Sequence, residues 1–184
     1  ILETPVVIAL DLSQSMMSTD IQPNRLERAK FKINDLLNAN PRARIALIGF
    51  SGTAHTIVPL CTDYKIIKSH LGSLSPSVLP FAGTDVEAAL ILADSITKIS
   101  DAPSRLILIT DDFDEEVFDL LQIYVGKGNK TVQIIPMNTP SGADITYRNS
   151  KRIRKDKEGK AIRSALNTKT LSKLASIEGI HVNR

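Results

Sequence analysis

Apolar residues in this chain fall into short unbroken runs separated by stretches of helical periodicity. Val6–Leu10, Arg44–Phe50, Arg105–Thr110 and Thr131–Met137 are rich in Val and Ile and bounded by turn residues, with a weaker run at Ile180–Val182. Runs that do not alternate apolar with polar predict strands buried on both faces, as in a mainly parallel sheet. Between them, Asn24 is a good N-cap with Glu27 at the capping-box position, and Leu26, Ala29, Ile33, Leu36 and Leu37 then share one helical face. Further helices fit Tyr64–Leu71, Val86–Ile99, Glu116–Val125 and Thr168–Ile177. The third has little polar relief in Ala88–Ala93 and is expected to be the most buried. Ala54–Val58 follows its neighbour after only Ser51-Gly52-Thr53, which permits a hairpin but not a parallel crossover, so it reads as an antiparallel edge strand. This order predicts a doubly wound α/β fold, a mainly parallel sheet with helices on both faces, in a single domain spanning 1–184. The polar, basic stretch Thr139–Ser164, with Gly142 and Gly159, reads as an excursion from that domain, hairpin-like in form.

Composition narrows the class. With 42% hydrophobic and 23% charged residues the chain is neither disordered, collagenous nor coiled-coil, and no apolar run approaches the roughly 18 residues of a membrane span. The net charge of +3 conceals a cancellation: residues 1–125 hold 10 Lys/Arg against 16 Asp/Glu, and residues 126–184 hold 13 against 4. Cys61 is the only cysteine, so no disulfide within the chain and no cysteine-rich zinc site is possible. The chain starts Ile1-Leu2-Glu3 without Met or signal peptide, and is expected to be part of a longer protein.

In a doubly wound sheet, ligands bind beyond the carboxyl ends of the strands. Asp11-Leu12-Ser13-Gln14-Ser15 follows the first strand, Gly83-Thr84-Asp85 precedes the third helix, and Asp111-Asp112 follows the strand ending at Thr110. These segments can converge. Hydroxyls and carboxylates are hard oxygen donors, suited to Mg²⁺, Mn²⁺ or Ca²⁺ rather than zinc or copper. Ser13 and Ser15, two apart on an extended loop, can point the same way. Asp11, Ser13, Ser15, Thr84 and Asp111 would give a divalent cation only two negative charges, leaving it electrophilic toward an outside carboxylate. Each piece also has a simpler reading: Asp and Ser are common turn residues, Thr84 with Glu87 makes a capping box, and Asp111 could cap the following helix. What favours the metal reading is that all three segments fall where one site on this fold requires them.

With these residues the chain resembles a von Willebrand factor type A domain, whose metal-ion-dependent adhesion site uses an Asp-x-Ser-x-Ser loop, a later Thr and a later Asp. Asp11, Ser13 and Ser15 match the loop, Thr84 the Thr, and Asp111 the last Asp. The resemblance implies a non-enzymatic protein-interaction domain holding one divalent cation, Mg²⁺ first and Mn²⁺ or Ca²⁺ as alternatives, with a partner's acid completing the shell. It extends to the Bat aerotolerance branch, membrane-anchored bacterial proteins, through Asp20-Ile21-Gln22-Pro23-Asn24-Arg25-Leu26-Glu27-Arg28-Ala29-Lys30, Gly49-Phe50-Ser51-Gly52-Thr53-Ala54, Pro59-Leu60-Cys61-Thr62-Asp63-Tyr64 and Lys155-Asp156-Lys157-Glu158-Gly159-Lys160. That implies anchoring through flanking segments, an extracytoplasmic or periplasmic domain, and a role in a membrane-associated complex linked to aerotolerance or stress. Gln14 and Asp112 stand where the family usually has Gly, so they are expected to crowd the ion and to add negative charge beside it.

Two other functions compete. A haloacid-dehalogenase-like phosphatase would use Asp11 with Asp111-Asp112, but it needs an acid where Ser13 stands. A scaffold with a vestigial metal site would dock through the basic excursion, where Arg148, Lys151, Arg152, Arg154, Lys155, Lys157, Lys160 and Arg163 cluster. Nucleic acid is not expected, because Tyr147 is the sole nearby stacking residue and Trp is absent. Neither a GxGxxG nor a P-loop pattern is present, Ser51 misses the nucleophile-elbow pattern, and His55, His70 and His181 adjoin no acid.

Overall fold

Six strands form one twisted layer in the computed structural model, which describes residues 4–39, 41–99 and 101–183. In chain order they are β1 (Pro5–Asp11), β2 (Arg44–Phe50), β3 (Ala54–Cys61), β4 (Ser104–Thr110), β5 (Lys130–Pro136) and, last in the chain, β8 (Ile180–Val182). The sheet order is β3-β2-β1-β4-β5-β8, and only the β2–β3 pair is antiparallel. The doubly wound α/β fold is therefore as expected. β3 runs three residues beyond the predicted Val58, with register shifts against β2, and it accommodates Pro59 because it lies on the sheet edge.

The helices are α1 (Arg25–Asn38), α2 (Tyr64–Leu71), α3 (Val86–Thr97), α4 (Glu115–Gly126) and α5 (Thr168–Ala175). Alternate residues of the buried strands feed opposite layers. Val6, Ile8, Leu10, Ile45, Leu47, Ile107 and Ile109 pack with the apolar faces of α1 and α2. Val7, Ala9, Ala46, Ile48, Leu106, Leu108, Val132 and Ile134 pack with α3, α4 and α5. This two-sided burial is why the strands read as continuous apolar runs. The third helix is, as expected, the one with the largest buried share: Val86, Ala89, Leu90, Ala93, Asp94 and Thr97 are buried, and Ile91 on the outer face is 63% exposed.

Between β5 and α5 the chain makes the expected excursion. Two short strands, β6 (Ala143–Asp144) and β7 (Arg163–Ser164), pair antiparallel at its base, and bridges Thr146↔Ile153 and Lys155↔Ala161 continue it outward. Among the described residues no helix is long and apolar enough to cross a membrane.

Candidate metal centre

β1 and β4 lie side by side, and the connections from them leave toward opposite edges of the sheet. The crevice at their carboxyl ends is therefore the switch point at which such folds bind ligands. Leu10 pairs with Ile109, so Asp11 ends β1 beside Thr110, and Asp111 follows immediately. Asp11 is fully buried. Its Oδ1 accepts from the Ser13 amide at 2.8 Å, and its Oδ2 accepts from Thr110 Oγ1 at 2.6 Å. Beyond Ser13 the chain enters a 3₁₀ turn, Gln14–Met17, which brings Ser15 Oγ to 3.0 Å from Ser13 Oγ and lets it donate to Asp111 Oδ1, also at 3.0 Å. Four of the five predicted residues thus meet in one hydrogen-bonded group.

Thr84, the fifth, reaches the group from the other side: it lines the same crevice as Ser13 and Ser15, and as Asp111 and Asp112. The simpler readings of Thr84 and Asp111 as helix caps do not hold. Asp85 caps α3 by accepting from the Ala88 amide, and Asp114 caps α4 by accepting from Val117. Ser51, read as a plain turn residue, anchors the Thr84 loop: its Oγ donates to Phe81 O at 2.6 Å and its carbonyl accepts from Asp85 N at 2.6 Å. Gly52 and Gly83 permit this docking. A Cβ on Gly52 would sit 2.5 Å from Ala82 O, and Gly83 has φ +135°, a conformation that side-chain-bearing residues rarely adopt.

The sequence offered no direct reading of Arg25, the most constrained side chain near the site. Its Nε and Nη2 donate to the two oxygens of Asp20 at 2.7 and 2.8 Å. Nη1 donates to Asp111 Oδ2 and to Ser164 Oγ, and Nη2 also reaches Ser164 O. All five donors of a fully buried guanidinium are used. Burial works against the charge, but Asp20 and Asp111 outweigh it and hold Arg25 more firmly protonated than usual. Asp20 in turn lies below the ordinary carboxylate range: burial opposes this, and the Arg25 and Thr139 hydrogen bonds prevail. A signal did exist, since Arg25 stands at i−4 and i−8 from Ala29 and Ile33 on the apolar face of α1.

The remaining electrostatics is that of acids short of positive charge. Burial, and then the charge of Asp111, push Asp11 up to about 7. Burial, with Asp114, Asp111 and Glu116 around it, pushes Asp112 up to about 6. Among the described residues no three His, Cys, Asp or Glu side chains are grouped so that they could hold a metal ion by themselves, so any cation here would be held by two carboxylates and hydroxyls. Neighbouring oxygens around an octahedral cation with bonds of about 2.1 Å lie about 3.0 Å apart, a distance that hydrogen-bonded oxygens also adopt. The Ser13–Ser15 and Ser15–Asp111 oxygen separations are both 3.0 Å.

The basic excursion lies against the candidate site. Ile145, Thr146, Tyr147, Arg148 and Arg154 form one wall of a groove of about 310 Å³ whose floor includes Ser13, Gln14, Ser15 and Thr84. Gln14 accordingly lies on the hairpin side of the site, and Asp112 on the α4 side with Asp114.

The family model of the von Willebrand factor type A domain matches residues 6–114. Among solved structures, BatB from Bacteroides thetaiotaomicron is 32% identical with a TM-score of 0.83, over 97% of this chain and 89% of that one. An aerotolerance-related membrane protein from Bacteroides fragilis is 32% identical with a TM-score of 0.84, over 98% and 91%. A UPF0353 protein from Mycolicibacterium paratuberculosis is 29% identical over 112 residues, 58% of this chain and 33% of that protein. The chain thus spans about a third of that curated relative, and the solved structures above match it nearly end to end. The strand order, the crevice between β1 and β4 and the matched residues agree: this chain belongs to the von Willebrand factor type A family.

Proposed function

We propose that this chain is a non-enzymatic protein-interaction domain whose grip on its partner depends on a divalent cation held by Asp11, Ser13, Ser15, Thr84 and Asp111. The observation that carries the reading is the meeting of the Ser13, Ser15 and Asp111 oxygens in one hydrogen-bonded group, lined also by Thr84, beside an Asp11 that burial makes costly to ionise alone. The protein supplies two carboxylates and hydroxyls, so an Mg²⁺ ion bound there keeps a charge that a partner's carboxylate can satisfy. Ser13, with its hydroxyl turned to Ser15, offers no acid for the proton transfer of a phosphatase. Likeness to BatB and to an aerotolerance-related membrane protein supports a place in a membrane-associated bacterial complex, anchored through segments outside this chain and facing the extracytoplasmic side. One observation favours a metal-independent scaffold instead: Arg25 already gives Asp111 a buried positive partner.

Calorimetry separates the two. The wild-type chain is expected to bind Mg²⁺ with one site, and Ser13→Ala with Ser15→Ala to lose it while circular dichroism stays unchanged. Absence of Mg²⁺, Mn²⁺ and Ca²⁺ binding at millimolar ion sinks the metal reading in favour of the scaffold. Generic phosphomonoester turnover is expected to be absent in either case.

A further inference from the structure

The two sides of the crevice carry opposite charge. On the α4 side, Asp111, Asp112 and Asp114 share the lining with Arg163, whose charge is already met by Asp144 at 2.8 Å. On the hairpin side, Arg148 and Arg154 line the groove, and neither has a carboxylate partner among the described residues. Arg148 is held in place by donating to Pro76 O, across from the hairpin, and Arg154 lies 6.0 Å from the centre of the Tyr147 ring. Both are therefore positioned charges rather than free-swinging ones. Between them and the hydroxyls of Ser13 and Ser15, the groove is walled by Leu12, Pro76, Ala82, Ile145 and Tyr147, an apolar surface against which an aliphatic or aromatic stem can lie. Its volume of about 310 Å³ is at the lower end of the roughly 300–1,000 Å³ of ligand pockets, enough for a few side chains of an extended segment.

We infer that the groove receives an acidic peptide segment of a partner protein at two points: one carboxylate at the cation site and a second at Arg148 and Arg154. The inference rests on the cation reading for its first point and on the hairpin alone for its second. It also sets a direction. The segment leaves the cation site toward the hairpin, because the opposite way runs past Asp112 and Asp114, where its acids meet like charge. The excursion is thereby a part of the binding site, and its arginines select partners with a second acid.

Fluorescence anisotropy with two labelled hexapeptides tests this. One is all Gln except for two Glu, the other all Gln except for one, and both are titrated in millimolar Mg²⁺. The two-Glu peptide is expected to bind the wild-type chain about tenfold more tightly than the one-Glu peptide, since charge-assisted contacts to Arg are the strong ones. The exposed double variant R148E/R154E is expected to erase that preference, with Mg²⁺ affinity by calorimetry within about twofold of wild type. Chelation is expected to abolish binding of both peptides. A preference that survives the double reversal overturns the inference, as does a wild-type chain that does not distinguish the peptides. Arginine-dependent preference without measurable Mg²⁺ binding also overturns the two-point reading, and the calorimetry then assigns the failure to the cation half. Binding of the wild-type chain to phosphatidylglycerol vesicles that the two-Glu peptide does not displace overturns it in favour of a lipid surface.

Discussion

Arg25 offers the sharpest test of how the crevice is held together. Its guanidinium makes five hydrogen bonds, to both oxygens of Asp20, to Asp111 Oδ2 and to the hydroxyl and carbonyl of Ser164. Arg25→Met keeps most of the side-chain volume but leaves the carboxylates of Asp20 and Asp111, 6% and 3% exposed, without their cation. Removing one partner of a buried ion pair typically costs 3–5 kcal/mol, and here two acids lose the same partner, so a loss near about 4–5 kcal/mol is expected. That is a large share of the roughly 5–15 kcal/mol by which a domain is stable. Arg25→Lys retains the charge with three donors and no planar fork, so its loss is expected to be about half as large. Urea titration in chelator measures both through the unfolding midpoint at constant slope. Mg²⁺ then adds a second readout. With Arg25 gone, Asp111 is released to a cation, so millimolar Mg²⁺ is expected to raise the midpoint of Arg25→Met more than that of wild type. A loss below about 1 kcal/mol, with an equal Mg²⁺ shift in both proteins, would refute the reasoning.

Three further outcomes follow from the same geometry. Asp11 binds its proton more tightly folded than unfolded, so in chelator the stability it contributes is complete below about pH 4 and falls as pH rises toward about 7; urea midpoints should show that fall, and Mg²⁺ should remove it at neutral pH. Asp94 behaves oppositely: Lys130 Nζ, 2.6 Å away, lowers it to about 2 despite burial, and Lys127 assists, so its contribution is present above about pH 4 and lost as pH falls toward 2; Lys130→Met is expected to cost about 1–3 kcal/mol at pH 7 and little at pH 2. Gly52→Ala drives a Cβ against Ala82 O, so it should displace the Thr84 loop and weaken Mg²⁺ binding about tenfold while the far-ultraviolet spectrum is unchanged; unaltered calorimetry would show that Thr84 is not a donor.

The fold was legible because the strands advertise themselves. Val7 and Ala9 face one helical layer and Ile8 and Leu10 the other, so no polar residue interrupts β1 and its pattern has only one architecture. The candidate residues at strand ends stood out for a related reason: Asp11 and Asp111 are acids placed where a buried apolar run stops. Arg25 was hidden because a charged residue on an apolar face has no partner visible in sequence, and its partners Asp20, Asp111 and Ser164 lie 5, 86 and 139 residues away. Thr84 and Asp111 also read as possible caps because a cap and a loop ligand use the same residue types. Only the observed bonds of Asp85 and Asp114 tell them apart.

The charge split between the two halves of the chain follows from topology. The excursion departs after β5, which lies beside β4, and β4 delivers Asp111 to the crevice. A segment inserted at that point must emerge on the carboxyl rim, next to the acids contributed by β1, β4 and α4. Its feet are bonded to the same group: Thr139 donates from N and Oγ1 to Asp20 Oδ2, Asn138 donates to the Asp111 carbonyl at 2.8 Å, and Ser164 is clamped by Arg25. Asp20 and Arg25 thus join both ends of the hairpin to a candidate metal ligand. A ligand that pulls on Asp111 or on the feet of the hairpin perturbs one shared set of buried, charge-assisted bonds, so the base of the hairpin and the geometry of the cation site are coupled, while the exposed Arg148 and Arg154 lie outside that set.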